Sequence, residues 1–256
     1  MSVSSGLLLL QRSNGVNIAY HAIDGVNPAI VFLGGFMSDM TGTKATALET
    51  HCRDHRRAFV KFDYRGHGAS DGQFRDGTIG LWLEDSLSII DEVAKGPLIL
   101  VGSSMGGWIA LLAALARPER IKGVIGLAAA PDFTSDIWNE LSDAQKREMK
   151  ARGHIEQPSD YSDEPYVITR NLIEDGASHS LLDAPISLRC PVRLIQGMQD
   201  TDVPWTTALR IVERLESDDV TVTLVKSGDH RLSEPEDLKR LMDTLETLCD
   251  QIATAI

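Results

Sequence analysis

Ser104 is a candidate nucleophile because it lies in a Gly-x-Ser-x-Gly sequence with Gly102 and Gly106. The apolar run 97–101 before it predicts a buried strand, and the small apolar residues 108–116 after it predict a helix. A sharp turn between a strand and a helix presents a serine hydroxyl to both a base and a substrate, as nucleophilic catalysis requires. The residues two before and two after the serine approach closely in such a turn, which explains why both are glycine.

A base for Ser104 is the next requirement, because a glycine-rich turn after any parallel strand has the same motif. Among the seven histidines, His230 follows the apolar run 220–225 and precedes the last predicted helix. His67 also follows a predicted strand, but it lies in a tight Arg-Gly-His-Gly turn, where a structural role is expected. His230 is therefore the candidate base, and the remaining histidines lie on a strand, a helix or a polar segment: His21, His51, His55, His154 and His179.

Two aspartates follow the predicted strand 192–195 and are candidates to orient the imidazole of His230. A carboxylate that accepts the second N–H of the imidazole fixes its tautomer and stabilises the imidazolium. An aspartate close before a helix is also a common N-cap, and we assign this role to Asp202, which comes before Pro204. Asp200 is then the orienting acid, and the chain order is Ser, Asp, His.

Two backbone N–H groups are candidates to bind the oxyanion of a tetrahedral intermediate. Met105 follows the nucleophile at the start of a predicted helix, where the N–H has no intrahelical partner. Gly34 and Gly35 follow the predicted strand 29–33 and allow close approach of the backbone to a substrate, which favours the N–H of Phe36 as the second donor. A plain glycine turn would have the same sequence.

The segments that must position these residues alternate between predicted strands and helices. Residues 7–22 predict an antiparallel hairpin, and apolar runs such as 58–62 and 121–127 predict buried strands separated by helices. This alternation predicts an α/β fold with a mostly parallel central sheet and helices on both faces. Right-handed crossovers bring the carboxyl ends of the strands to one edge, where the candidate residues would meet.

Residues 131–190 interrupt the alternation with a polar, acidic and irregular stretch that has helical patches at 137–149 and 166–173. We predict a small helical lid inserted between the two parts of an α/β core, 1–130 and 191–256. The apolar side chains of the insertion either line an acyl pocket or form the lid's own core: Trp138, Tyr161, Tyr166, Leu172, Ile173, Leu181 and Leu182.

Composition restricts the class of protein further. A chain of 256 residues with 43% hydrophobic residues can bury a sizeable core as one large domain or two small ones. The net charge of −12 argues against nucleic acid or an anionic membrane as a partner. No run approaches the roughly 18 apolar residues of a membrane span, and we expect none.

The three cysteines are odd in number and far apart, without a metal-binding spacing, which favours reduced thiols. The first residues contain neither a basic region nor a signal-peptide core, and the expected location is cytoplasmic. We expect no cofactor and no metal, and the sequence leaves the oligomeric state open.

These motifs together resemble the α/β-hydrolase fold superfamily over nearly the whole chain. The resemblance implies Ser104 as nucleophile, Asp200 as acid and His230 as base. Longer stretches resemble an animal mitochondrial branch that hydrolyses palmitoyl thioesters and acyl glucuronides. Many members have His-Gly in the oxyanion loop, where this chain has two glycines. The matching segments are 33–36, 62–68, 102–106, 197–200 and 229–230 for the superfamily and 40–45, 62–64, 96–108 and 202–205 for the branch.

We predict a serine hydrolase that cleaves carboxylic esters or thioesters of a small-molecule or acylated substrate through an acyl-enzyme. Serine at the turn decides against epoxide hydrolases and haloalkane dehalogenases, which need aspartate at that position. A peptidase, an amidase or a carbon–carbon bond hydrolase with the same triad is the alternative within enzymes. A non-catalytic ligand-binding protein with the same fold is the alternative outside them.

Overall fold

The computed structural model describes residues 6–157 and 166–255. In chain order, the strands and helices of this part are β1 (Leu8–Gln11), β2 (Asn17–Ile23), β3 (Val26–Leu33), α1 (Thr43–Asp54), β4 (Arg57–Phe62), α2 (Ile79–Ser88), β5 (Leu98–Ser103), α3 (Met105–Ala116), β6 (Ile121–Leu127), α4 (Phe133–Glu140), α5 (Asp143–Arg152), β7 (His154–Gln157), β8 (Tyr166–Thr169), α6 (Arg170–Ser178), β9 (Val192–Gly197), α7 (Thr206–Arg214), β10 (Val220–Val225) and α8 (Pro235–Ala255).

The central sheet has eight strands in the order β1-β2-β4-β3-β5-β6-β9-β10. β1 and β2 form the predicted antiparallel hairpin, and β2 pairs antiparallel with β4. All other neighbours in this sheet run parallel. The predicted α/β class with a mostly parallel sheet is therefore confirmed, and the carboxyl ends of β5, β9 and β10 lie along one edge.

Side chains of β5 show why the central strands are continuous apolar runs. Leu98 and Leu100 pack into the core on one face, which also contains buried residues of α2, α3 and α7. Ile99 and Val101 pack into the core on the other face, together with buried residues of α1 and α8. Because successive residues of a strand point to opposite faces, a sheet covered on both faces needs an apolar residue at every position.

The segment 131–190 contains a two-stranded antiparallel sheet, β7 with β8, as well as helices. The predicted helical patch at 166–173 is wrong in its first half, because Tyr166–Thr169 is a strand. Its β-branched residues Val167, Ile168 and Thr169 favour strand conformation. Thr169 then caps α6 by accepting a hydrogen bond from the N–H of Leu172.

The predicted helical patch at 137–149 consists of two helices, α4 and α5, that separate at Leu141. Ser142 accepts a hydrogen bond from the N–H of Gln145, and the Gln145 side chain accepts one from the N–H of Ser142. This capping box satisfies free N–H groups at the start of α5 and so begins a new helix.

The apolar residues of the segment divide between two cores. Ile173 packs with Leu141, Met149, Ile155 and Ile168 in a small separate cluster, against which Trp138 and Tyr166 also pack. Leu172, Leu181 and Leu182 instead belong to the main core on the α3 face of the sheet. Tyr161 lies outside the described residues.

Asp132 ties the start of the segment to residues 180–182 in its later part. Its buried carboxylate accepts hydrogen bonds from the N–H groups of Leu181 and Leu182 at 2.9 and 2.8 Å, and from the hydroxyl of Ser180 at 2.8 Å. A charged group in the interior is stabilised by such a set of donors. The start of the segment is therefore held against residues 180–182, of which Leu181 and Leu182 belong to the main core.

Every helix in the described part of the chain is too short or too polar to cross a lipid bilayer. Cys52, Cys190 and Cys249 are free thiols. Burial raises the pKa of Cys52 and of Cys249 to about 12, so both thiols stay protonated at neutral pH.

Candidate active site

Ser104 forms a sharp turn between the end of β5 and the start of α3, with φ of 54° and ψ of −119°. A positive φ is unusual for serine, and here the close packing of the backbone around it maintains it. A Cβ atom on Gly102 would lie 2.2 Å from the carbonyl oxygen of Gly106, and one on Gly106 would lie 2.1 Å from that of Leu33. Only glycine fits these two positions, as the sequence predicts.

His230 lies between Ser104 and Asp200. Its Nε2 atom is 3.1 Å from the Oγ atom of Ser104, and its Nδ1 atom is 2.9 Å from the Oδ2 atom of Asp200. The loop that carries His230 follows β10, and the turn that carries Asp200 follows β9. The structure therefore brings the three candidate side chains into one line at the carboxyl edge of the sheet.

The carboxylate of Asp200 is fully buried and held in place by several donors. Its Oδ1 atom accepts hydrogen bonds from the N–H groups of Asp202 and Val203 at 2.9 and 2.8 Å. Burial alone would raise the pKa of Asp200, but the hydrogen bonds from His230 and the backbone outweigh it, and the pKa is lowered. An ionised Asp200 accepts the Nδ1 proton of His230, which leaves Nε2 as the acceptor for the Ser104 hydroxyl.

Asp202 is not the N-cap residue of the helix that follows it, contrary to the prediction from the sequence. Helix α7 begins at Thr206, and its N-cap residue Trp205 makes no side-chain cap hydrogen bond. The Oδ2 atom of Asp202 lies 4.0 Å from Nε2 of His230, so it adds negative charge beside the imidazole.

The candidate oxyanion donors flank Ser104. Met105 is the first residue of α3, and a Cβ atom on Gly35 would lie 3.5 Å from Cβ of Ser104. The N–H groups of Phe36 and Met105 donate no hydrogen bond within residues 6–157 and 166–255. Both donors are thus available to a ligand in the described part of the molecule, although the oxyanion role itself stays a prediction.

The side chain of Phe36 lies in a cluster of aromatic rings that the sequence did not reveal. Its ring packs edge-on against four others, at centroid distances from 4.8 to 5.9 Å: Phe74, Trp82, Phe133 and Tyr166. The first two belong to the main core and the last two to the segment 131–190. The loop that presents one candidate oxyanion donor is therefore in contact with that segment.

His67 is buried away from solvent among aromatic rings, in agreement with the structural role expected for it. Its ring packs against Tyr64, Phe74 and Trp82, and its Nδ1 atom lies 3.3 Å from the carbonyl oxygen of Arg65. Burial lowers the pKa of His67 to about 4, so the side chain is neutral at neutral pH.

Two further side chains contact the residues that hold the triad, and sequence reasoning missed both. Gln196 is a buried polar residue at the end of β9, and its Nε2 atom donates to Oδ2 of Asp200 at 2.9 Å. Lys44 on α1 donates to the carbonyl oxygen of Arg231, next to His230. Burial lowers the pKa of Lys44 to about 8. A polar residue in an apolar strand was the available signal for Gln196.

Two groups of side chains in the described residues have donor atoms close enough to share a metal ion. One is Asp202 with the Asp200–His230 pair. The other is Glu246 with His51 and His55, but both oxygens of Glu246 are bound by Arg57. The contacts of Arg57 and of His51 Nε2, at 2.8 Å, with the carboxylate identify this group as an ion pair. The hydrogen bonds from Arg57 are the largest cause that lowers the pKa of Glu246 to about 2.

The fold and this geometry define the class of protein. Residues 26–237 match the family described as "Serine aminopeptidase, S33". The chain belongs to this family of α/β hydrolases.

Individual relatives match almost the full chain. The chain is 42% identical to palmitoyl-protein thioesterase ABHD10, mitochondrial, of Bos taurus. The match covers 98% of this chain and 83% of the relative. The protein of that name from Mus musculus is 43% identical, over 98% and 85%. The cytoplasmic location predicted from the sequence is contradicted by these relatives, which are named mitochondrial. Composition and the first residues do not determine a compartment, which explains the error.

Solved structures agree with this assignment. The alpha/beta hydrolase domain-containing protein 10 from mouse superposes with a TM-score of 0.92 at 42% identity, covering 97% of this chain and 100% of the other. A putative hydrolase from Agrobacterium vitis gives the same TM-score at 41% identity, with the same coverage. Est1E from Butyrivibrio proteoclasticus, at 20% identity and a TM-score of 0.80, shares the fold.

Proposed function

We propose that this chain is a serine hydrolase that cleaves thioesters or carboxylic esters of acylated substrates through an acyl-enzyme on Ser104. The observation that carries the proposal is the line of contacts from Ser104 Oγ to His230 Nε2 at 3.1 Å and from His230 Nδ1 to Asp200 Oδ2 at 2.9 Å. This is the arrangement of a nucleophile, a base and an orienting acid.

The reaction follows from the positions of these atoms. His230 takes the proton of Ser104 as its oxygen attacks the acyl carbon, and Asp200 stabilises the imidazolium that forms. The N–H groups of Phe36 and Met105 bind the oxyanion, and one such donor contributes roughly 3–4 kcal/mol to transition-state stabilisation. His230 then protonates the leaving group. Water attacks the acyl-enzyme with His230 as base, which regenerates Ser104.

The segment 131–190 serves as a lid over the core formed by 1–130 and 191–256. Two observations support this role. Asp132 at the start of the segment accepts hydrogen bonds from Leu181 and Leu182 in its later part, and Phe133 and Tyr166 contact the ring of Phe36 beside Ser104. A cover of this kind excludes water and gives an acyl chain an apolar surface.

Thioesters of long acyl chains are the substrate class that the relatives favour, because the names of those at 42–43% identity state palmitoyl-protein thioesterase. A thiolate with a pKa of about 8.5 leaves a tetrahedral intermediate more readily than an alkoxide does, so the same residues suffice for both leaving groups. The description of the family as a serine aminopeptidase makes amide hydrolysis the second candidate.

A panel of matched substrates tests the proposal. Palmitoyl and octanoyl thioesters, p-nitrophenyl esters of the same acids and aminoacyl amides are assayed with wild type and Ser104→Ala. We expect turnover of thioesters and esters that Ser104→Ala abolishes, with little turnover of amides. Faster cleavage of amides than of thioesters would favour amide hydrolysis, the second candidate function. Thioester turnover that is unaffected by Ser104→Ala would contradict the proposal.

A further inference from the structure

Gln196 is a buried polar side chain that contacts the carboxylate of Asp200. It is 1% exposed and belongs to β9, next to the apolar Leu194 and Ile195. Its Nε2 atom donates to Oδ2 of Asp200 at 2.9 Å and lies 3.2 Å from the carbonyl oxygen of Val203. The amide thus joins the strand to both ends of the turn that carries the acid.

The orientation of the Gln196 amide follows from its surroundings. The NH₂ group faces acceptors only: the carboxylate of Asp200 and the carbonyl oxygens of Val203 and Gly197. A rotated amide would place its own oxygen against a carboxylate. The observed orientation leaves Oε1 buried, and no group in the described part of the chain donates to it. An unpartnered buried carbonyl is unfavourable, and such a group calls for an explanation.

The carboxylate of Asp200 receives donors on both oxygens. Oδ1 accepts from the N–H groups of Asp202 and Val203, whereas Oδ2 accepts from His230 and Gln196. The two backbone donors fix one end of the carboxylate. Gln196 is the side chain that shares Oδ2 with the imidazole, so it affects both the direction and the strength of the bond to His230.

We propose that Gln196 is a positioning residue of the candidate active site, which aims Oδ2 of Asp200 at His230 and sets how strongly that carboxylate holds the imidazolium. The inference rests on the proposed function. A donor on Oδ2 withdraws negative charge that would otherwise act on the imidazolium alone. Without this donor, Asp200 holds the imidazolium more strongly. The acid limb of the profile of kcat/KM against pH, which is the rise in activity on the low-pH side, then moves to higher pH.

Two variants separate this role from a merely structural one. Gln196→Met keeps the length of the side chain and removes the donor. We expect kcat/KM to fall roughly 10- to 100-fold with KM little changed, and the midpoint of the acid limb to rise by about 0.5–1 pH unit. Gln196→Glu places a second carboxylic acid against Asp200. The new acid donates a hydrogen bond to Asp200 only while it is protonated, so the activity of this variant falls as the pH rises and the new acid ionises.

Gln199→Met is the matched control. Gln199 is an exposed residue of the same turn whose side chain donates only weakly to the carbonyl oxygen of Lys226, at 3.4 Å. We expect kcat, KM and the acid limb of the kcat/KM profile of Gln199→Met to equal those of wild type. Thermal unfolding of all variants measures the structural contribution separately.

Titration of the histidine C–H resonances by NMR gives a second readout that does not need turnover. The His230 resonances, assigned by their loss in His230→Ala, are expected to titrate at higher pH in Gln196→Met than in wild type and in Gln199→Met. An unchanged His230 titration in both Gln196 variants overturns the inference, even if both are less stable. If Gln196→Met fails to fold, the pH dependence of Gln196→Glu decides. If wild type has no hydrolase activity, the proposed function is overturned. The NMR titration of His230 does not need turnover, so it still tests the role of Gln196.

Discussion

The ring of Phe36 packs edge-on against the ring of Tyr166, with 5.8 Å between their centroids. Phe36 belongs to the loop that presents a candidate oxyanion donor, and Tyr166 belongs to the small sheet of the segment 131–190. A displacement of that segment would therefore remove one side of the packing that holds the loop against Ser104.

Loss of the Tyr166 ring is expected to lower activity toward short acyl esters, whose chains are too small to need the proposed lid. Tyr166→Ala frees one side of Phe36, so the candidate oxyanion donor is less well held, and kcat falls roughly 10- to 100-fold. Tyr166→Phe keeps the ring and serves as the control with kcat close to wild type. Equal kcat values for both variants and wild type on p-nitrophenyl acetate would exclude this coupling.

Alanine at Gly102 is expected to destabilise the turn around the nucleophile. The new Cβ atom would meet the carbonyl oxygen of Gly106 at 2.2 Å, and both groups belong to a buried backbone that cannot move apart freely. We expect a loss of about 3 kcal/mol in the free energy of unfolding, together with loss of activity. Gly6→Ala is the control, because a Cβ there meets nothing within 4 Å. Similar melting temperatures for the two variants would contradict the account.

The two aspartates of the β9 turn are expected to differ sharply in their effect on turnover. Asp200→Asn favours the wrong tautomer of His230, and kcat should fall on the order of 10⁴-fold. Asp202→Asn removes a charge 4.0 Å from the imidazole and should change kcat by less than about tenfold. Steady-state kinetics of both variants tests the assignment. The reverse order of effects would make Asp202 the orienting acid.

The ion pair between Glu246 and Arg57 is expected to make stability depend on pH. The pKa of Glu246 is lowered from its ordinary 4.5 to about 2, chiefly by hydrogen bonds from Arg57. A depressed folded-state pKa means that the stabilisation is present above pH 4.5 and disappears as the pH falls toward 2. Glu246→Gln should therefore be less stable than wild type at neutral pH.

Urea unfolding at several pH values measures this difference. The gap between wild type and Glu246→Gln should narrow steadily below pH 4.5. Glu174→Gln is the control, because Glu174 pairs with Arg170 on an exposed helix surface, where an ion pair contributes little. A gap that is independent of pH would show that the charge of Glu246 does not act through Arg57.

Local backbone geometry and the order of the strands explain which features could be predicted from the sequence. The requirement for glycine on both sides of Ser104 is a property of the turn itself, and the order of strands placed Asp200 and His230 at the same edge of the sheet. The α/β class followed from apolar runs such as β5, whose residues are buried on both faces.

Features that depend on distant contacts could not be read from the chain. Tyr166 begins a strand because His154–Gln157 pairs with it, a partner that periodicity does not reveal. Asp202 was assigned as a cap from its residue type and its place before Pro204, whereas the N-cap residue of α7 is Trp205. The packing of Phe36 against Tyr166, and the bond between Gln196 and Asp200, join segments whose relative positions only the folded structure defines.

The central claim is that the hydroxyl of Ser104 is the nucleophile activated by His230. A fluorophosphonate probe and mass spectrometry of the peptide digest test it directly. We expect wild type to carry one phosphonyl group on the peptide that contains Ser104, Ser104→Ala to carry none, and His230→Ala to react far more slowly. A wild-type protein that is unlabelled, or labelled on another residue, would contradict the claim.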